Sequence, residues 1–103
     1  MRKLGRPKKE RHISKKPKTL TFSPRGRPGR PEEVEITIDE FEAIRLADFN
    51  EFEQVQGANE MSISRATFGR ILRHARKKLA DALVNGKIIR IAGGQINFPP
   101  KSR

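Results

Sequence analysis

Between residues 54 and 71, small and apolar side chains fall where two crossed helices need a small contact residue, a tight turn and apolar packing. With Gln54 as the first position, Ala58 is fifth, Met61 eighth, Ile63 tenth, Phe68 fifteenth and Ile71 eighteenth, and Ser62 stands at the turn. That spacing predicts a helix-turn-helix, with Leu72 completing its packed stripe. The turn in such motifs usually holds glycine, and this chain has Ser62. Such a geometry serves to set one helix in a groove of double-stranded DNA, which is therefore the expected partner.

The flanking sequence supplies a third helix and little else. Thr37 and Glu40 have the spacing of a capping box, which starts a helix over residues 38–47 with Phe41, Ile44 and Ala47 on one face and Ala43 and Leu46 beside it. A second helix follows over 53–61, with Val55, Ala58 and Met61 at three-residue spacing and Gly57 weakening it by roughly 1 kcal/mol relative to alanine. Ser64 is a good N-cap for a helix that runs to residue 85, where Gly86 supplies the stop. Residues 34–36, 87–91 and 95–98 favour strands, and the last two form either a hairpin or an edge strand against 34–36.

Charge divides the chain further. Residues 1–31 hold twelve Lys/Arg against Glu10 alone, so the whole formal net charge of +11 resides there. Residues 32–60 carry ten acids against Arg45, and residues 61–103 carry ten bases against Asp81. A basic pole and tail are the electrostatic footprint of a polyanion partner. The first 31 residues have few apolar groups, Ile13, Leu20 and Phe22 among them, and are read as a largely disordered arm.

The chain has 103 residues and no cysteine, which removes disulfides, thiolate zinc sites and cysteine nucleophiles. No apolar run approaches a membrane span, and a cytoplasmic, nucleoid-associated protein without a metal or cofactor is expected. His12 in the arm and His74 on a basic face have no catalytic company, so an enzyme is not expected.

On the third helix, Leu72, Ala75, Leu79 and Ala82 lie within about 40° of Phe68, and the opposite face carries Ala66, Arg70, Arg73 and Lys77. Six bases and no acid fall between Ser64 and Lys78. With its N-terminal turns in a major groove, Arg65, Ala66, Thr67 and Arg70 are placed to meet base edges, arginine on guanine and threonine or alanine on a thymine methyl. Arg73, His74 and Lys77, with the hydroxyls of Ser62 and Ser64, are placed to meet phosphate.

These residues resemble a family of small uncharacterised prokaryotic proteins predicted to bind DNA, with a helix-turn-helix similar to region four of sigma factors. The similarity covers about residues 22–94, most specifically Glu42-Ala43, Arg45-Leu46-Ala47-Asp48, Ser64-Arg65, Thr67-Phe68, Arg70-Ile71-Leu72, Ala75-Arg76 and Gly93-Gly94. It implies DNA binding and transcriptional regulation. The chain departs from the pattern at Ser62 and Gly57, where glycine and alanine are usual, and it lacks the cysteines of many relatives, so no metal role carries over.

In the arm, Pro24-Arg25-Gly26-Arg27-Pro28 has the core sequence of an AT-hook, and Gly5-Arg6-Pro7-Lys8-Lys9 is a weaker echo. Arg6, Lys8, Lys9, Arg25, Arg27 and Arg30 are thus expected in a minor groove or on phosphates. The expected fold is mainly α: a three-helix bundle with a helix-turn-helix in residues 32–98, a short C-terminal β element, the disordered arm of residues 1–31 and a tail of 99–103. Its expected function is sequence-specific duplex binding as a transcriptional regulator. A nonspecific RNA-binding or nucleoid protein, and an adaptor docking on RNA polymerase through the acidic stretch, are the alternatives. A homodimer is open, with residues 88–91 and 96–98 as its candidate interface.

Overall fold

The computed structural model describes residues 10–94 and 96–97. Its helices begin where local chemistry provides caps. The Thr37 side chain accepts from the Glu40 amide while the Glu40 carboxylate accepts from the Thr37 amide at 2.9 Å, and the capping box opens α1, Ile38–Ile44. α1 continues without a break into a π turn, Arg45–Phe49, where the Asn50 amide bonds the Arg45 carbonyl at 2.8 Å. A second capping box, Glu53 with Gln56, starts α2, Gln54–Glu60. Ser64 caps α3, Arg65–Asn85, and Gly86 ends it in the left-handed conformation (φ 64°) that glycine adopts without penalty.

Three short strands make a second layer. β2, Thr21–Phe22, and β3, Glu33–Ile36, flank β4, Ile88–Ile91, antiparallel and parallel respectively. Phe22 pairs with Ile89 on one side and Val34 pairs with Ile89 on the other. The parallel pairing of β3 with β4 requires a long crossover, which the three helices provide. The strand after α3 is therefore central. It is neither a hairpin arm nor a free edge, and its Ile91 is buried while Ile88 and Ile89 are half-buried. The mainly α expectation is corrected in the same way, to three helices packed on a small mixed sheet.

The core gathers Ala43 and Leu46 of α1 and its π turn, Ala58 and Met61 of α2, and Phe68, Ile71 and Leu72 of α3. Gly57 faces Phe68 so closely that an added Cβ would lie 2.7 Å from ring atom Cε1 and nearer still to Cζ. Two faces differ from expectation. On α1, Ala43 and Leu46 are buried while Phe41, Ile44 and Ala47 are only half-buried, and on α2, Val55 is exposed.

The largest correction concerns the arm. Residues 10–31 are not a disordered tether: Ile13 is fully buried among Ala43, Leu46 and Met61. It is held from both sides, because the His12 amide donates to the Met61 carbonyl at 3.0 Å and the Ser14 amide donates to Glu42 Oε2 at 3.1 Å. Glu42 is itself fully buried and takes both forks of Arg45, at 2.9 and 2.8 Å. That pairing raises the Arg45 pKa, burial opposing it. A charge so buried is tolerable only when paired and hydrogen-bonded, which Arg45 and the Ser14 amide accomplish. β1, Arg11–His12, pairs with β5, Ile96–Asn97, and β2 closes one edge of the sheet, so the arm is woven into both layers.

Candidate nucleic-acid interface

α2 and α3 are joined through residues 61–64, and the joint has a marked backbone. Ser62 adopts φ 58°, a left-handed value that a residue with a Cβ takes at a cost of roughly 1 kcal/mol. The Ser62 amide donates to the Asn59 carbonyl and the Ile63 amide to that of Ala58, which returns the chain over the end of α2. Ile63 packs half-buried against the core, and α3 departs from Ser64.

The burial of Phe68, Ile71, Leu72, Ala75 and Ala82 fixes the rotation of α3. Arg65, Ala66, Arg70, Arg73, His74 and Lys77 are all exposed on its other side. Among the described residues, no ion pair engages Arg65, Arg70 or Arg73. The bases that do pair are Arg76, with Asp48 at 2.7 Å, and Lys78, with Glu40 at 2.8 Å. The Asp48 hydrogen bond raises the pKa of Arg76. Acids of α1 and its π turn thus bind the flanks of α3 and leave its outward face uniformly basic.

Two expected contacts are placed differently. The Ser64 hydroxyl accepts from the Thr67 amide and donates to Thr67 Oγ1, both at 3.0 Å, so its proton is committed to the cap. Thr67 is half-buried and turns into a cleft of about 650 Å³ that Asp39 and Glu40 also line. It is less exposed than Arg65, Ala66 and Arg70, and Arg70 lines the same cleft. Ser62 is exposed at the turn, within the same surface.

That cleft brings in a residue which spacing could not single out. Arg11 lines it, as Arg70 and His74 do, with its Nε 3.5 Å from Asp39 Oδ2. Nothing in the sequence distinguishes Arg11 from the other eleven bases of the arm; its place follows from the pairing of β1 and the burial of Ile13. Arg25, Arg27 and Arg30 lie elsewhere. Arg25 and Gly26 form a turn with Gly26 at φ 78°, and Gly29 at φ 80° turns the chain again. The Arg27 side chain lies against Gly86, and Arg27 and Arg30 line a hollow with Asn85 and Lys87. That is the C-terminal end of α3, where cations favour the negative end of the helix dipole. Arg6, Lys8 and Lys9 lie outside the described residues.

These features define a small protein of three helices on a three-stranded mixed sheet, with one long helix whose exposed face is basic. The chain belongs to the family described as protein of unknown function DUF134, whose pattern matches residues 1–98. A UPF0251 protein of Desulfosudis oleivorans is 51% identical over 92 residues, 88% of this chain and 67% of its own length. A UPF0251 protein of Methanococcus maripaludis is 48% identical over 91 residues, covering 87% and 70% respectively. The UPF0251 protein of Prosthecochloris aestuarii is 44% identical over 95 residues, and this chain spans only 61% of it. No solved structure matches. Among the described residues, no helix is long and apolar enough to cross a membrane.

Proposed function

We propose that this protein binds duplex DNA sequence-selectively through a helix-turn-helix formed by α2 and α3, and acts as a transcriptional regulator. The observation that carries the reading is the outward face of α3. Arg65, Ala66 and Arg70 stand exposed at its N-terminal turns, Arg73 and Lys77 continue the row, and the opposite stripe is locked against α1 and α2. In a major groove, Arg65 and Arg70 would pair with guanine edges and Ala66 would meet a thymine methyl. Arg73, His74 and Lys77 would neutralise phosphates along the helix, and Ser62 would meet the backbone at the turn. Arg11, paired with Asp39, lines the cleft that Arg70 also borders.

Selection of bound duplexes from a random library tests this, repeated with Arg70→Ala. The full chain should enrich one motif, and the variant should lose preference at one base position at a cost of about 1–3 kcal/mol there. Lys77→Ala should instead weaken all sequences alike and lower the salt slope by about 1. Equal affinity for the selected site and its scramble at several salt concentrations would defeat sequence selectivity.

A further inference from the structure

A groove of about 740 Å³ runs between the outer side of α1 with its π turn and residues 15–22 of the arm. Phe22, Phe41, Ile44 and Phe49 give it an apolar surface. Lys15, Lys16 and Lys18 line it from the arm, and among the described residues no acid does. Phe49 is 81% exposed and Phe22 51%. Large aromatics left in water at one place mark an interaction surface. The π turn is what presents Phe49: its wider winding, closed by the Asn50 amide on the Arg45 carbonyl, breaks the register that buries Ala43 and Leu46.

We propose that this groove docks an acidic amphipathic segment of a partner protein. Its apolar side chains enter between Phe41, Ile44 and Phe49, and its carboxylates face Lys15 and Lys18. Charge complementarity selects this occupant. The chain's own ends do not fit, because residues 1–9 carry five bases and no acid, and residues 98–103 carry Lys101 and Arg103 and no acid. A nucleic-acid strand following the basic face of α3 would have to pass Glu40 and Asp48, which bridge to Lys78 and Arg76, to reach the groove. A second copy would bring either the same lysine-bordered face, which repels its like, or an apolar patch from elsewhere, such as Val55 beside Glu51 and Glu53 or Leu83 and Val84 on α3, in a head-to-tail contact. The site lies apart from Arg65, Arg70 and Arg73 and stands whether or not α3 reads DNA.

The test is fluorescence anisotropy of the full chain with a labelled helical peptide of about 20 residues, Glu-rich with Phe and Leu at i, i+3 and i+7. Controls are the same peptide with its Phe and Leu changed to Ala, and an oligothymidylate. The acidic peptide should bind, and Phe49→Ala or Lys15→Glu with Lys18→Glu should each weaken it about tenfold or more. These side chains are exposed, so the variants keep the fold, which circular dichroism checks. Amide shifts on titration should concentrate at Thr19, Ile44, Phe49 and Asn50. The proposal fails if the alanine peptide binds equally well or the peptide does not bind. It also fails if the shifts map to α3, if oligothymidylate displaces the peptide from the groove, or if the free chain proves self-associated through this face.

Discussion

Gly57 and Ser62 are the two residues at which this chain departs from the usual helix-turn-helix pattern, and the structure gives them opposite meanings. Gly57 is a necessity of packing, since the ring of Phe68 occupies the space of its missing Cβ. Gly57→Ala should gain about 1 kcal/mol of helix propensity and lose about 1–3 to overpacking, a net destabilisation measurable by urea unfolding. Phe68→Leu made in the alanine background should recover part of that loss, and a double-mutant cycle would show the coupling. Ser62 is a residue under backbone strain, at φ 58°. Ser62→Gly should therefore stabilise by about 0.5–1 kcal/mol, and a lower urea midpoint for that variant would contradict it. The position of Gly57 on a helix was legible from spacing. Its partner was not, because a sequence pattern marks a contact without saying which ring fills it.

At the scale of elements, starts and stops were the most legible features. Thr37 with Glu40, Ser64 and Gly86 act within one helical turn, and each does what its residue type dictates. The last turn of α3 adds a tie that has a pH signature. Asp81 accepts from Asn85 at 2.7 Å and from Lys87 at 3.0 Å, and these bonds, Asn85 first, hold its carboxyl below the usual aspartate value. A carboxyl lowered by folding contributes stability above its unfolded pKa and loses it as pH falls through the folded one. Lys87 is raised, chiefly by Asp81, so its share persists until pH rises through that raised value. Thermal midpoints of Asp81→Asn and the parent should differ at neutral pH and converge in acid; a constant gap would remove the tie. The faces of α1 were less legible. Phe41 and Ile44 look like a core stripe, yet Ala43 and Leu46 hold the core, because α1 is covered on two sides and its apolar residues spread around it.

For the molecule as a whole, the arm changes the account of the charge. Among its described residues the bases do not trail from the domain: Arg11 enters the cleft beside α3, Lys15 and Lys18 border the groove by α1, and Arg27 and Arg30 sit at the far end of α3. The anchor is Ile13. Ile13→Ala should cost about 2–5 kcal/mol, read as a fall in the midpoint of thermal or urea unfolding, whereas a disordered arm would show almost none. If the proposed function holds, the same substitution should also weaken DNA binding, because it loosens the segment that carries Arg11 into the cleft bordered by Arg70.

Taken by itself, the sequence determined three helices with their caps, the packed stripe of Phe68, Ile71 and Leu72, and the basic face opposite it, because each rests on chemistry within a few residues along the chain. Only the tertiary structure decided that Ile13 is core, that β4 is a central strand, that Arg11 meets Asp39 in the cleft Arg70 also lines, and that Arg27 lies against Gly86. Those outcomes depend on partners far apart in sequence, as with the Ser14 amide and Glu42, 28 residues away. Which distant surface covers a lone apolar residue is settled by the packing of the whole chain, and no local pattern carries that information.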